Sequence, residues 1–318
     1  MTRPPGASPH RAPTPHAPYR GRFAPSPSGP LHLGSLLTAL ASYLEARSRG
    51  GAWLLRIDDL DLYRTRPGAA ERILSSLESL GLHWDEAVVY QSRHMERYRA
   101  GLEALQSRGL IYACACSRRE LAMESTETAA GMYPGYCRDR NLPYRSGLHA
   151  LRLRTGDAVI RFEDRVQGMV EQHLASAVGD FILFRRDGVF AYHLATVLDD
   201  AEQRVTDVLR GQDLLDSTPR QIYLQELLNL PTPGYAHTPI LIDSSGRKLS
   251  KRTLTPEAET RLPSRILGSL LALLGHPPPA ELTAAPPREI LAWAVENWRL
   301  LRLWQTGPIT VEPEAFTP

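Results

Sequence analysis

The chain has 318 residues, of which 42% are hydrophobic and 23% charged, and its formal net charge is +2 at pH 7. This balance is ordinary for a globular protein of two or three domains, and it restricts any nucleic-acid-binding surface to a local patch. No apolar run approaches the roughly 20 residues of a membrane-spanning helix, and the N-terminus has no apolar signal segment. The 3 cysteines lie between positions 114 and 137, and an odd number in one cluster argues against a disulfide framework and favours the cytoplasm.

The first periodic segments predict a strand, a helix and a second strand. Residues 21–25 form a short, mainly apolar segment that ends in a proline, which predicts a short strand. Leucines at helical spacing follow Pro30, and Gly50-Gly51 ends that helix. Residues 52–57 predict a buried strand, and the acids directly after it fall where α/β sheets bind ligands, outside the carboxyl ends of the strands.

The next segments continue this pattern and then break from it. We predict helices over 67–80 and 92–108, each followed by a glycine. From Tyr112 the alternation of predicted strands and helices stops, and the segment to 179 has only short strand-like runs at 150–154 and 158–162. We interpret this part as an insertion.

The α/β pattern returns at Asp180. Residues 181–184 and 189–194 flank Asp187-Gly188, which predicts a hairpin, with 195–199 carrying on into a helix. The further elements that we predict are strands over 205–209 and 239–242 and helices over 218–228, 264–274 and 288–303.

These elements predict an α/β fold: a doubly wound parallel-sheet (Rossmann-like) catalytic domain, split by an insertion and followed by a small helical region. The predicted boundaries are 1–20 for a disordered tail, 21–111 for the first half of the catalytic domain, 112–179 for the insertion, 180–257 for the second half and 258–318 for the helical region.

The turn between the first strand and the first helix is the strongest local signal. Residues 24–35 combine prolines, glycines, hydroxyl side chains and one imidazole, His32. Free backbone N–H groups and the helix dipole favour an anion at a helix N-terminus, so we expect a nucleotide phosphate there. The segment has neither the Gly-Lys-Ser/Thr of a Walker loop nor the G-x-G-x-x-G of a dinucleotide site.

A second polar stretch, residues 248–252 (KLSKR), follows the last predicted strand. Taken singly, a histidine at a helix start is usually a satisfied polar residue, and a lysine-rich loop is usually solvated surface. At opposite ends of an interrupted α/β domain the two favour adenylation, because imidazole, helix amides and a mobile lysine stabilise the charge that develops on an α-phosphate. We expect His32, Lys248 and Lys251 to be catalytic, and His32, Gly34, Ser250 and Lys251 to bind ATP.

Several motifs follow one another in a recognisable order. Residues 22–29 (RFAPSPSG) with 32–34 (HLG), and then KLSKR, are similar to the two signatures of the class I aminoacyl-tRNA synthetases. The segments 55–61 (LRIDDLD), 91–92 (QS), 190–195 (FAYHLA) and 210–213 (RGQD) also occur in family order. The chain therefore resembles the glutamyl/glutaminyl branch of that family over about 21–255.

This resemblance implies that glutamate is the amino acid. The residues that it implies for glutamate binding are Arg22, Ala24, Ser26, Asp58, Tyr192 and Arg210. Glutamate carries two carboxylates and one ammonium, so two arginines and one acid complement it. The family usually has glutamate where this chain has Asp58; the shorter acid reaches less far, and a water could bridge it to the ammonium.

The cysteines form a pattern of their own, Cys114-Ala115-Cys116 followed by Cys137. Three thiolates can hold one structural zinc, which prefers four ligands, and the fourth candidates are Tyr133, Tyr136 and Asp139. The alternative is three buried or unpaired thiols. A short member of the family that this chain resembles has Cys-x-Cys followed by Tyr-x3-Cys. This resemblance implies that Zn²⁺ binds to Cys114, Cys116, Tyr133 and Cys137.

The segment after the lysine loop is short, about 65 residues. A full glutamyl-tRNA synthetase has a stem-contact region and an anticodon-binding part there, and 264–303 suffices only for the first. The chain thus most resembles truncated members of the family. These imply tRNA-independent activation of L-glutamate by ATP with Mg²⁺ and transfer of glutamate to queuosine in the anticodon of tRNA(Asp). We expect a monomer with no membrane partner.

Three alternatives fit parts of the sequence. A conventional glutamyl-tRNA synthetase with a minimal tail would charge the tRNA 3′ end. A small-molecule nucleotidyltransferase of the same superfold would explain the histidine and lysine motifs but not the glutamate motifs. A non-catalytic zinc RNA-binding protein is disfavoured, because His32, Lys248, Ser250 and Lys251 are all present.

Overall fold

A computed structural model describes residues 18–117, 119–121, 132–249 and 262–311. The strands are β1 (Arg20–Phe23), β2 (Ala52–Ile57), β3 (Val89–Tyr90), β4 (Ile111–Cys114), β5 (Ala150–Leu153), β6 (Val159–Asp164), β7 (Gly168–His173), β8 (Ile182–Phe184), β9 (Asp207–Gly211), β10 (Gly234–Thr238), β11 (Leu241–Ile242) and β12 (Ile309–Thr310). The helices are α1 (Leu33–Ser48), α2 (Ala69–Ser79), α3 (Met95–Gln106), α4 (Leu174–Ala177), α5 (Tyr192–Glu202), α6 (Thr218–Leu228), α7 (Pro263–Leu273) and α8 (Pro287–Asn297). None of these helices is long and apolar enough to cross a membrane.

Two sheets of mainly parallel strands lie side by side, and we refer to them together as the central sheet. β1, β2 and β3 pair in the order β1-β2-β3, and β6, β10 and β9 are also parallel, with β7 antiparallel at the edge of β6. The backbone N–H of Thr206, just before β9, donates to the carbonyl of Arg20 on β1 at 3.0 Å, so the two sets meet there. The carboxyl ends of β1, β9 and β10 therefore share one edge, where α/β folds bind their ligands.

The main core surrounds α1. The leucines of α1 pack against Trp53 and Ile57 of β2 and against the apolar faces of α7 and α8. Glu45, a buried acid of α1, accepts a hydrogen bond from the indole N–H of Trp298 at 2.8 Å. The C-terminal helices are thereby part of the same core as the first strand-helix-strand unit.

The N-terminal end of the described chain is tied to this core. The carbonyl of Tyr19 accepts the N–H of Ala52 at 2.9 Å, and the Tyr19 ring is buried. A Cβ on Gly51 would lie 2.4 Å from that carbonyl oxygen, so only glycine permits this approach. Residues 1–17 of the predicted tail lie outside the described residues.

The segment expected to be an insertion divides into two parts. β4 and β5 form an antiparallel sheet next to the cysteines, and β8, which follows the predicted insertion, is the third strand of that sheet. β6 lies in the same predicted segment but pairs with β10 of the central sheet, and β7 follows it as a hairpin. Part of the segment is therefore continuous with the central sheet.

Two predicted elements need correction. The second strand of the hairpin at 189–194 is wrong: Phe184 and Phe190 form one isolated bridge, and α5 begins at Tyr192. The apolar residues after Gly188 belong in part to the buried face of this helix, which includes Leu194, Ala195 and Val197. In place of the single strand predicted over 239–242, the structure has β10, which ends before Pro239, and the short strand β11 after it. Pro239 has no N–H to donate to a neighbouring strand, so it interrupts the pairing.

Candidate active site

A cleft of about 280 Å³ opens at the carboxyl ends of β1, β9 and β10. It is lined by eight of the predicted site residues: Arg22, Ala24, Ser26, His32, Gly34, Tyr192, Arg210 and Lys248. These side chains come from segments as far apart as β1 and the loop after β11, so the fold brings the two signature motifs together. Ser250 and Lys251 lie outside the described residues.

His32 caps α1 at one end of the cleft. Its Nδ1 accepts the backbone N–H of Ser35 at 3.1 Å, so the ring proton is on Nε2, which lies 3.0 Å from the Ser35 hydroxyl. A Cβ on Gly34 would lie 3.3 Å from the imidazole, which explains why a glycine suits this position. The 16-residue helix therefore points its positive end, with an oriented imidazole, into the cleft.

Arg22 forms the floor of the cleft and belongs to a closed layer of charges. Its Nε and Nη2 donate to both oxygens of Asp200, at 3.1 and 3.2 Å. Asp200 also accepts from Arg56 at 2.7 Å, and all three side chains are buried. Burial acts to raise the pKa of Asp200, but the two guanidinium groups outweigh it and hold that pKa below its usual range.

Asp58 lies in this layer and not in the lining of the cleft. Its carboxylate accepts a hydrogen bond from Arg56 at 2.8 Å, and its side chain is 6% exposed. Burial raises the pKa of Asp58 to about 6, against the lowering effect of Arg56. The structure thus places Asp58 on a neighbouring arginine, behind the residues that line the cleft.

Arg210 forms the opposite wall, and its hydrogen-bond partners are neutral groups. Nε donates to His237 Nε2 at 3.0 Å, Nη1 to the Tyr192 hydroxyl at 3.2 Å, and Nη2 to the Thr218 hydroxyl at 2.8 Å and the Leu214 carbonyl at 3.4 Å. Arg210 is only 4% exposed. None of the hydrogen-bond partners that the structure gives it carries a negative charge, so a carboxylate entering the cleft would meet an unneutralised cation.

Lys248 stands at the third side of the cleft. Its Nζ lies 2.6 Å from a carboxylate oxygen of Asp213, and both side chains are nearly half exposed. The turn before it is built on Asp243, whose carboxylate accepts the Ser245 hydroxyl and N–H and the Arg247 N–H; these bonds lower the pKa of Asp243 to about 2. The turn fixes where the lysine motif leaves β11.

The four predicted metal ligands lie together, away from the cleft lining. The sulfurs of Cys114, Cys116 and Cys137 are all within 4.8 Å of one another, and the last two are 3.5 Å apart. The Tyr133 hydroxyl lies 3.4 Å from Cys114 and 3.7 Å from Cys116. Tetrahedral zinc with Zn–S bonds of about 2.3 Å requires S···S distances of about 3.8 Å, so the donor set fits such an ion.

A buried arginine closes one side of this cysteine cluster, which we define as Cys114, Cys116, Tyr133 and Cys137. Arg152 donates from Nε to the sulfur of Cys114 at 3.2 Å, and its guanidinium lies 3.7 Å from the centroid of the Tyr133 ring. Its Nη1 donates to the Asp180 carbonyl at 2.7 Å. The cation can offset the negative charge of thiolates bound to a metal.

Several residues of the cleft and its surroundings were not among the predicted site residues. The structure adds Arg64, Asp164, Asp200, Asp213 and His237. Asp213 ends the RGQD segment, and Asp200 is one of two adjacent acids on the apolar side of α5, so both carried a local signal. Asp164 and His237 carried none, since each lies in a strand segment that belongs to none of the recognised motifs.

Comparison with known proteins adds a family and named relatives. A family model described as "tRNA synthetases class I (E and Q), catalytic domain" matches residues 19–279. A "Glutamyl-Q tRNA(Asp) synthetase" of Methylococcus capsulatus is 58% identical over 289 residues, 91% of this chain and 94% of that protein. A protein of the same name from Thiobacillus denitrificans is 50% identical over 294 residues, 92% of this chain and 97% of that protein.

Solved structures of similar shape are longer than this chain. A glutamate tRNA ligase from Elizabethkingia meningosepticum, in complex with its amino acid, superposes with a TM-score of 0.77 at 26% identity, covering 94% of this chain and 68% of that one. A glutamate-tRNA synthetase from Elizabethkingia anophelis gives 0.78 at 27% identity, covering 94% and 69%.

Proposed function

The chain belongs to the class I tRNA synthetases of the glutamyl and glutaminyl group, and from this premise we propose that it activates glutamate with ATP and transfers it to the queuosine base of tRNA(Asp). It is a ligase of the aminoacyl-tRNA synthetase type. The relatives named for this reaction are at least 50% identical and nearly the same length. The conventional glutamyl synthetases of similar shape extend well beyond the part that this chain matches.

The observation that carries glutamate as the substrate is the environment of Arg210. A buried guanidinium with only neutral hydrogen-bond partners favours a carboxylate ligand, since burying an unpaired charge is costly. Tyr192 adjoins it, and Arg22 lies across the floor with Ala24 and Ser26 at the rim. We infer that these five residues bind glutamate, and that Asp58 acts indirectly, by holding Arg56 in the layer beneath.

The phosphate end of the cleft supports adenylation. The glutamate α-carboxylate attacks the ATP α-phosphorus, and the bond to pyrophosphate breaks. We propose that the positive end of α1 and the Nε2–H of His32 stabilise the added negative charge, and that Gly34 leaves room for the nucleotide. Lys248 would exchange Asp213 for a phosphate oxygen. Mg²⁺ bound with ATP would neutralise further phosphate charge, and Ser250 and Lys251 complete the proposed ATP site.

In the second step a hydroxyl of the queuosine ring attacks the carbonyl carbon of glutamyl-adenylate, and AMP leaves with the bonding electrons. The exposed Arg64 at the rim of the cleft offers a positive charge to the incoming RNA. The named relatives support this acceptor over the tRNA 3′ end, and over a small-molecule nucleotidyltransferase.

We propose that the cysteine cluster holds one structural Zn²⁺. Cys114, Cys116, Cys137 and the Tyr133 hydroxyl would supply four ligands, so no position remains for substrate. The ion would join β4 to the segment around Tyr133 and stabilise that part of the fold. Free thiols at these distances need a reducing compartment, which fits a cytoplasmic enzyme.

Pyrophosphate exchange tests the first step without RNA. We expect exchange of labelled pyrophosphate into ATP that depends on glutamate, that needs no tRNA and that glutamine does not replace. Exchange that requires tRNA, or that glutamine drives equally well, would contradict the proposed function.

A further inference from the structure

A line of hydrogen bonds crosses the central sheet behind the glutamate end of the cleft. It joins Asp164 of β6 to His237 of β10, then Arg210 of β9, then Tyr192 at the start of α5. β6 and β9 flank β10, and Arg210 and His237 are direct partners in the β9–β10 register. Asp164 and His237 have no exposed surface, so this line is part of the interior.

At the inner end of this line, only one assignment of hydrogen-bond donors and acceptors is possible. The carboxylate of Asp164 only accepts: it takes the backbone N–H groups of Val166, Gln167 and His237 through Oδ1, and it lies 2.6 Å from His237 Nδ1 through Oδ2. Nδ1 therefore carries the proton. Burial lowers the pKa of His237 to about 4, so the ring is neutral and its Nε2 is an acceptor.

The same assignment of donors and acceptors extends to the cleft. Arg210 donates to Nε2 of His237, and its other bonds to Thr218, Leu214 and Tyr192 use three more of the five N–H groups. One N–H on Nη1 remains. Because the Tyr192 hydroxyl accepts from Arg210, its own proton is available to a ligand. The wall of the cleft thus presents two donors side by side.

We propose that Asp164 and His237 are positioning residues that select glutamate over glutamine, by fixing these hydrogen bonds so that the side-chain pocket presents donors only. The inference rests on the proposed function, since it assumes that Arg210 and Tyr192 meet the γ-carboxylate. A carboxylate only accepts and satisfies both donors. The carboxamide of glutamine would turn an NH₂ group toward one of them and leave polar groups unpaired.

The opposite tautomer of His237 would break this arrangement. With its proton on Nε2, the imidazole would face the Nε–H of Arg210 at 3.0 Å, donor against donor. Its other neighbour at Nε2 is the Thr218 hydroxyl at 3.2 Å, which already accepts from Arg210. The guanidinium would have to move, and its remaining N–H would no longer point at the ligand. Asp164 prevents this although it does not line the cleft.

The substitution Asp164→Asn tests the inference, because an amide can donate to Nδ1 and so permits the other tautomer. In pyrophosphate exchange we expect the KM for glutamate to rise about tenfold and the preference for glutamate over glutamine to fall about tenfold. The kcat and the KM for ATP should stay within about twofold. A merely structural role would not shift the amino-acid preference alone.

Asp180→Asn is the matched control. Asp180 is equally buried and accepts from Arg138, Tyr112 and Thr155, yet it does not line the cleft or touch Arg210. Its variant should keep the wild-type preference. A wild-type enzyme without glutamate-dependent exchange would contradict the proposed function. A glutamate-specific wild type whose Asp164→Asn variant keeps full preference would overturn the inference alone.

A measurement on the unmodified protein covers the case in which Asp164→Asn does not fold. Two-dimensional ¹⁵N–¹H NMR distinguishes imidazole tautomers, and the loss of one signal in His237→Gln assigns the ring. We expect the Nδ1-protonated neutral form at pH 7. An Nε2-protonated or a charged ring would overturn the inference.

Discussion

The cleft and the cysteine cluster both gather reactive side chains, but they are surrounded in opposite ways. In the cleft, Arg210 and Lys248 face a cavity of about 280 Å³. In the cluster, the sulfurs lie within 4.8 Å of one another and the guanidinium of Arg152 closes one side. Donors around an open volume suit substrates that enter and leave, whereas converging donors suit a permanent ion.

The charged layer beneath the cleft shows that a charged group close to the cleft is not necessarily available to a substrate. Asp200 lies directly behind Arg22, which lines the cleft. Its carboxylate is buried and already paired with the guanidinium groups of Arg22 and Arg56. By this reasoning Asp200 maintains the fold, although it is a neighbour of the substrate site.

The largest effect is expected at the open wall of the cleft. Arg210→Gln removes the cation proposed to meet the γ-carboxylate, and we expect kcat/KM for glutamate-dependent exchange to fall by about 10²–10³-fold, roughly 3–4 kcal/mol. Arg161→Gln is the control, since Arg161 pairs with Glu171 on the surface and does not line the cleft. Equal activity of the two variants would contradict the assignment.

The next effect concerns the closed layer. Asp200→Asn leaves two buried guanidinium groups without their shared carboxylate, so we expect the free energy of unfolding in urea to fall by about 3 kcal/mol. Glu86→Gln breaks the exposed pair with Arg20 and should cost at most about 0.5 kcal/mol. If both variants lose the same small amount, the layer does not hold the fold.

The cysteine cluster should respond in metal content and stability. Cys137→Ala removes one ligand, so bound zinc should fall from about one per chain to near zero and the free energy of unfolding by about 2–3 kcal/mol at a free zinc concentration near 100 times Kd. Exchange activity measured well below the unfolding temperature should change only slightly. Full retention of zinc would refute the ligand set.

The smallest effect is the pH dependence that Asp58 contributes. An unfolded aspartate titrates near 3.9, whereas the folded pKa of Asp58 is about 6, so the native state binds more protons between these values. Its contribution therefore destabilises the protein as pH rises through this window. The unfolding free energy of the wild type minus that of Asp58→Asn should fall by about 2 kcal/mol between about pH 4 and pH 7. A difference that stays flat or rises with pH would contradict the conclusion that burial raises the pKa of Asp58.

Local patterns predicted the elements whose signal lies within a few turns of chain. β2 covers the predicted residues 52–57, and α2 and α3 lie within the predicted helices. The three cysteines fall within 24 positions, which is why their clustering could be expected. The cleft lining followed from motifs at strand ends, because parallel strands share their carboxyl edge.

Contacts between distant strands could not be predicted in this way. Asp164 and His237 are 73 positions apart, and only the pairing of β6 with β10 joins them. Asp58 and Arg56 are only two positions apart, yet the motif that contains them did not indicate that Arg56 would donate to the Asp58 carboxylate. For Asp164 and His237, the sheet and not the local sequence decides which partner each side chain meets.

Locating the transferred glutamate tests the central claim most directly. Purified tRNA(Asp), with and without queuosine, would be incubated with ATP and labelled glutamate, then cleaved to separate the anticodon fragment from the 3′ end. The proposed function predicts label in the anticodon fragment of the queuosine-containing tRNA and none in tRNA that lacks queuosine. Label at the 3′ end, or equal labelling of both tRNAs, would contradict it.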